Sequence, residues 1–275
     1  MADLLRRWIA GSLEDRLRSR LTSATDTALR RPAVVIAPHQ DDEVLGCGGT
    51  ILRKRDLGAP VTLVFLTDGG TSHRNLMPSE EMRPLRRAEA LEAAARLGVP
   101  ADRVHFLDIP NRELTAGVDA AAAGLAPILA AAAPAEIYTP WAGEPPPDHA
   151  AAYRATVKAL ALWGGAADLH EYAVWFWQEW PWCRAEHYQP AGRRARWAAR
   201  LRGLRAGDAF RTGVNVEPVL ARKRHALAAH RSQNERLIDD PAWGVLADVA
   251  GGEFLARLLG PWEIFKTTPA PPKDS

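Results

Sequence analysis

The first half of the chain exchanges short apolar runs for longer segments of helical periodicity. Residues 33–37, 61–67, 104–107 and 136–139 are apolar runs with little polar alternation, the mark of strands buried on both faces. Between and after them, residues 43–57, 79–97, 120–133 and 148–162 repeat apolar positions at helical spacing, with Pro127 interrupting the third. Four such exchanges predict βαβ units with right-handed crossovers. The expected fold class is therefore α/β: a Rossmann-like, mostly parallel sheet with helices on both faces and a less regular C-terminal part.

The flanks follow different patterns. Leu5, Ile9, Leu13, Leu17 and Leu21 recur every four residues, so residues 3–29 predict one amphipathic helix within an N-terminal segment of residues 1–30. It is expected to pack across the domain and is the candidate surface for a homo-oligomer. The α/β domain spans residues 31–265. Inside it, residues 165–215 form an aromatic and Arg-rich cap region expected to close over the site. There EYAVWFWQE at 171–179 reads as a strand, and residues 184–211 carry eight arginines against Glu186 and Asp208. That run reads first as a solvated face, second as a basic face for a phosphorylated or anionic-lipid substrate. A strand at 212–216, a helix at 217–233 and a disordered tail at 266–275 complete the expectation.

Composition narrows the class. The 275 residues can bury a sizeable core without staples, and a net charge of +2 with 25% charged residues argues against a nucleic-acid partner. Two cysteines, Cys47 and Cys183, give no disulfide framework and suit a reducing, cytoplasmic compartment. Asp3, Arg6, Arg7, Glu14, Asp15 and Arg16 interrupt any run long enough for a signal peptide or transmembrane segment.

Chemistry concentrates where the first strand ends. PHQDDEVLGCGG places His39, Asp41, Asp42 and Glu43 within five residues, at the carboxyl edge where parallel sheets bind ligands. GCGG is not the dinucleotide GxGxxG pattern, and the charged run fills the turn where a pyrophosphate needs bare amides. The fourth strand leads through a proline-rich loop to Asp148 and His149 on the same edge. His39, Asp42 and His149 can hold a divalent metal with coordination positions open. Asp41 is placed to take a proton from metal-bound water and return it to a leaving amine.

PHQDDEVLGCGG closely resembles the H-P-D-D-E motif of the PIG-L/LmbE-like zinc-dependent N-deacetylases. Further matches are L-T-D-G at 66–69, R-x-x-E-A at 86–90, L-G at 97–98, P-D-H at 147–149 and K-x-x-A-L-x-x-H-x-S-Q from Lys223 to Gln233. The resemblance implies His39, Asp42 and His149 as ligands of Zn2+ or another divalent metal, and Asp41 as general base. It also implies Asp148 as a residue orienting the catalytic groups and Arg86 as a substrate contact. The implied substrate is a small acetylated amino sugar or glycoconjugate of GlcNAc type. Three positions depart from the family: Gln40 for proline, Pro146 for a histidine that stabilises the oxyanion or protonates the amine, and Asn111 for a substrate-facing aspartate. Glu144 and His73 are candidates for the role vacated at Pro146; otherwise it falls to Asp41 or to no residue. Three alternatives are set beside this reading. An iron/2-oxoglutarate oxygenase is disfavoured by the βα rhythm, and a nucleic-acid or membrane partner of the Arg-rich run would bind with strong salt dependence. The third is a catalytically silent or altered sugar- or metal-binding protein on the same scaffold.

Overall fold

The computed structural model describes residues 2–180 and 192–270, so Cys183 and the first eight residues, 184–191, of the Arg-rich run 184–211 lie outside the described residues, as does 271–275 of the expected tail. In chain order the elements are α1 (Ala2–Arg18), β1 (Thr22–Ser23), α2 (Asp26–Leu29), β2 (Ala33–Ala37), α3 (Asp42–Asp56), β3 (Val61–Thr67), α4 (Ser79–Arg96), β4 (Val104–Ile109), α5 (Val118–Ala132) and β5 (Glu136–Pro140). They continue with α6 (Pro147–Trp163), β6 (Asp168–Tyr172), α7 (Phe176–Glu179), α8 (Arg193–Gly207), β7 (Thr212–Asn215), α9 (Leu220–Leu227), α10 (Arg231–Asn234), α11 (Glu253–Leu258) and β8 (Trp262–Thr268).

One eight-stranded sheet runs in the order β1-β7-β8-β6-β5-β2-β3-β4. Strands β4, β3, β2, β5 and β6 are mutually parallel, and β8 lies antiparallel to both β6 and β7. From β2 the chain winds outward through β3 to β4, then returns to the other side of β2 for β5 and β6. The switch point thus falls between the carboxyl ends of β2 and β5, where a doubly wound sheet opens a ligand crevice. The pleat sends Val34 and Ile36 to a core shared with α5 and α6, while Ala33, Val35 and Ala37 enter the larger core on the opposite face. The near-continuous apolar runs are explained by helices on both faces.

Glycines in α3 allow close approach. A Cβ at Gly46 would lie 2.4 Å from the Tyr172 ring, and one at Gly49 would lie 2.4 Å from Val216. Tyr172 itself donates to Ile36 O at 2.9 Å, tying β6 across the sheet to β2. Two buried lysines add cross-links. Lys54 pairs with Glu136, and Lys223 Nζ bridges Glu263 at 2.7 Å and the carbonyls of Leu45 and Leu258.

Several expectations need correction. The single helix over 3–29 is α1, β1 and α2: Thr22 and Ser23 pair with β7, and Thr25 caps α2 by accepting from Ala28 N at 3.2 Å. β-Branched and hydroxyl side chains stop the helix that the leucine spacing alone would continue. The aromatic strand at 171–179 ends at Tyr172 because Glu144 gathers the N–H groups of Val174, Trp175 and Phe176 into a turn before α7. The helix at 217–233 is interrupted between α9 and α10, where Asn234 donates to the carbonyls of Leu227 and His230. The expected tail begins too early: Lys266, Thr267 and Thr268 belong to β8 and pair with β6. Pro127 does not split α5, which runs through it.

His170 in β6 stacks on Tyr138 and meets Phe265 edge-on, with Nδ1 at 2.9 Å from Thr267 Oγ1. Burial lowers its pKa from 6.5 to about 4, against the opposing pull of Glu136 and Asp168. The unfolded chain therefore binds the extra proton first as pH falls. The unfolding free energy should fall by up to about 3 kcal/mol between pH 6.5 and pH 4 through this residue. Urea titrations of wild type and His170→Gln across that window check this; equal pH slopes would contradict it.

Candidate metal centre

Two segments meet at the switch point. The first is the turn from β2 into α3. Thr67, at the end of β3, donates from Oγ1 to Pro38 O at 2.8 Å, and its carbonyl accepts from Gln40 Nε2 at 2.7 Å. Gln40, in place of the family proline, thus braces the turn through its side chain. Asp41 adopts φ 137° and ψ −28°, a conformation that costs an L-residue on the order of 1–3 kcal/mol. Its N–H donates to Glu43 Oε2 at 2.9 Å, and Arg86 donates to the adjacent Gln40 carbonyl. The second segment enters α6. Pro146 and Pro147 preset its first turn, which carries Asp148 and His149 to the same edge.

Asp42 Oδ2 lies 3.2 Å from His39 Nδ1 and 3.3 Å from His149 Nε2. One ligand atom from each of His39, Asp42 and His149 falls within 4.8 Å of the others. The far nitrogens also face carboxylates: His39 Nε2 is 3.3 Å from Asp148 Oδ2, and His149 Nδ1 is 3.5 Å from Glu144 Oε2. Carboxylates behind both imidazoles fix ring orientation and raise ligand basicity, as metal-ligating histidines require. His149 is fully buried, yet neither ring nitrogen makes a hydrogen bond of good geometry. Buried polar atoms normally have partners. A cation among His39, Asp42 and His149 would satisfy Nε2, the nitrogen beside Asp42, while Nδ1 faces Glu144, so these residues fit a divalent metal.

The charges agree. Burial opposes protonation of His149, but Asp42 and Glu144 outweigh it and raise its pKa to about 10. Burial also opposes the Asp42 anion, and His149 with His39 more than compensates, holding that carboxyl well below the usual range. The carboxylates thus demand positive charge at this spot. A metal meets that demand and releases protons on binding. Asp41 differs: burial pushes it up to about 6, against the pull of Arg86, whose Nη2 is 3.6 Å from Asp41 Oδ1.

Other expected residues are placed as follows. Arg86 is buried against the Gln40–Asp41 turn. Asn111, after β4, donates its N–H to Asp68 Oδ1 at 3.1 Å, and Arg112 donates its N–H to Asp148 Oδ2 at 3.2 Å. Of the two candidates for the role vacated at Pro146, Glu144 is engaged by three backbone N–H groups, and His73 stacks on Trp243 with Nε2 at 3.0 Å from Gly244 O.

Residue-by-residue reading missed a supporting layer. Fully buried His230 bonds through Nε2 to Glu43 Oε1 at 2.7 Å, placing a C-terminal residue behind the Asp41 turn. Ser232 donates both N–H and Oγ to Glu89 at 2.7 Å, fixing that residue's segment to α4. Lys223, His230 and Ser232 are three of the lettered positions of the K-x-x-A-L-x-x-H-x-S-Q match. The motif was visible, whereas its partners Glu263, Glu43 and Glu89 follow only from the fold.

Comparison with known proteins finds relatives of this chain. A model of the GlcNAc-PI de-N-acetylase family, PIG-L, matches residues 34–160, from β2 to α6. The probable N-acetyl-alpha-D-glucosaminyl L-malate deacetylase 2 of Bacillus cereus is 30% identical over 220 residues, 77% of this chain and 88% of that protein. Diacetylchitobiose deacetylase of Thermococcus kodakarensis is 35% identical over 107 residues, which span 36% of this chain and only 39% of that protein. Among solved structures, N,N'-diacetylchitobiose deacetylase from Pyrococcus horikoshii matches with a TM-score of 0.60 at 22% identity, covering 87% of this chain and 84% of that one. The same fold recurs in GalB, a 4-carboxy-2-hydroxymuconate hydratase of Pseudomonas putida, with a TM-score of 0.57 at 17% identity, covering 89% of this chain and 98% of that one. One scaffold therefore carries different reactions, and the chemistry must be argued from the site.

Two outcomes follow. The wild-type chain should bind one divalent ion, His149→Ala should lose stoichiometric binding, and Asp148→Asn should weaken it roughly 10- to 100-fold, as metal titration would read. His230→Ala leaves Glu43 buried without its partner and should cost about 3–5 kcal/mol in urea unfolding.

Proposed function

The chain belongs to the PIG-L/LmbE-like deacetylase family, and on that premise we propose that it removes an N-acetyl group from a GlcNAc-like amino sugar or glycoconjugate. The observation that carries the reading is the pairing of the metal candidates His39, Asp42 and His149 with Asp41. That carboxylate is buried beside them and poised near neutrality. A divalent metal, zinc in the first instance, would be held by those three residues and would supply Lewis-acid polarisation and a lowered water pKa.

The remaining work falls to the chain's own groups. Asp41 takes a proton from water as the water oxygen adds to the acetamide carbonyl carbon. The same proton passes to the amine nitrogen as the C–N bond breaks, leaving a free amine and acetic acid, which gives up water's second proton to solvent as acetate. A base with a pKa near 6 suits both transfers. Arg86 holds the Asp41 carboxylate and its strained backbone in place, while Asp148 and Glu144 orient the imidazoles. With Pro146 in the family histidine's position, Asp41 serves as both base and acid. A polar recess of about 310 Å³ opens beside Gln40, lined by Asp68, Arg83, Arg87, Phe106 and Asp108. Its ion-pairing side chains suit a hydroxyl-rich sugar, and Asn111 is tied to Asp68 in its wall.

Acetate release from a panel of N-acetylglucosamine conjugates tests the reading. Zinc-loaded wild type should release acetate, and Asp41→Ala should lower the rate by roughly 10²- to 10⁴-fold while retaining metal. Metal bound at full stoichiometry with no acetate from any conjugate would count against it, in favour of a sugar- or metal-binding role.

A further inference from the structure

Helix α8 is arranged inside out. The side it turns to the body is made of small residues, with Ala199 only 1% exposed and Gly203 and Gly207 buried. Gly207 abuts Trp180 so closely that a Cβ there would lie 2.6 Å from the indole. Two of its large apolar side chains point the other way: Trp197 is 53% exposed and Leu201 is 49% exposed. These two sit one turn apart on a face shared with Arg194, Arg202 and Arg205. An ordinary surface helix does the reverse.

The charge pattern is equally unusual. α8 carries six arginines and no acidic residue, in a chain whose net charge is only +2. Arg193, Arg194 and Arg196 occupy its first turn, where the helix dipole favours anions, and the N-cap Gly192 offers no side-chain acceptor. The Arg200 guanidinium lies 5.9 Å from the centre of the Trp197 ring. The helix thus concentrates positive charge with no acidic residue of its own, which an anionic partner would complement. Neighbouring α1 lines a common recess with α8 through Leu13, Leu17, Leu204 and Arg205, and exposes Leu5 and Trp8 towards its other end.

We propose that the outer face of α8 is a docking surface for an anionic lipid bilayer, Trp197 and Leu201 entering the interface and the arginines meeting headgroup phosphates. A cluster of arginines beside an exposed Trp and Leu is the kind of basic surface that anionic lipid headgroups attract. No helix among the described residues is long and apolar enough to cross a membrane, so association of this kind is peripheral. A second copy of the chain is disfavoured because two such faces would bring like charges together. A nucleic acid would use the arginines and leave Leu201 without a role. The surface also has a route to the catalytic edge: Glu144, behind His149, holds the segment leading into α7, and Phe176 of α7 packs on Trp180 beneath α8.

Co-sedimentation with vesicles tests this without any assumption about the reaction. The full chain is mixed with vesicles of phosphatidylcholine alone, or with phosphatidylglycerol as about a third of the lipid. Wild type should bind the anionic vesicles, release them as salt rises, and bind the neutral ones at least about tenfold more weakly. Arg194→Gln with Arg205→Gln should weaken binding by about tenfold or more, as should Trp197→Ser with Leu201→Ser. Unchanged thermal midpoints and metal content establish that both variants are folded. No binding to anionic vesicles, equal binding to both compositions, or wild-type binding by the Trp197/Leu201 variant would overturn the proposal. So would tight binding of a short oligonucleotide that is indifferent to Trp197 and Leu201, or a dimer in solution that the same variant dissociates.

Discussion

A single carboxylate oxygen, Asp42 Oδ2, closes this site: it stands 3.2 Å and 3.3 Å from two imidazoles delivered by strands on either side of the switch point. Buried anions and imidazoles at that spacing are costly unless a cation is among them. Everything around the cluster meets that constraint. Asp148 and Glu144 stand behind the rings, the dipoles at the starts of α3 and α6 favour the acidic residues there, and the parallel strands β2 and β5 bring the two segments together. The fold and the chemistry are consequences of one arrangement.

Asp41 is held by a different set of contacts. Its backbone conformation is imposed by the bond from its N–H to Glu43, by Arg86 on the preceding carbonyl, and by Thr67 beneath the turn. Glu43 in turn leans on His230, which comes from near the far end of the chain. The Gln40–Asp41 turn is therefore braced by α4, by β3 and by the segment between α9 and α10. This explains why similarity to the family extends beyond the residues at the metal.

The parallel core was legible from sequence because buried strands leave apolar runs and crossovers leave helical periods. His39, Asp42 and His149 were legible because a histidine and paired carboxylates at a strand end have few structural uses. What the sequence hid was long range. Nothing local announces that Glu144 would collect three N–H groups and turn an aromatic strand into a loop and α7. Thr267 and Thr268 looked like a polar tail because their partner, β6, lies almost a hundred residues earlier. The leucine repeat near the N-terminus overrode Thr22, Ser23 and Thr25, whose caps and pairing end the helix. Glu43 showed only as one more acid in a run, since its partner His230 is distant in sequence.

The central claim is that His39, Asp42 and His149 together bind one metal ion. X-ray absorption at the metal edge of the zinc-loaded protein tests it most directly, by counting imidazole scattering around the ion. The account predicts two imidazoles with oxygen donors in wild type, and one imidazole in any residual metal bound by His149→Ala. A first shell without imidazole, or one unchanged by that substitution, would contradict it.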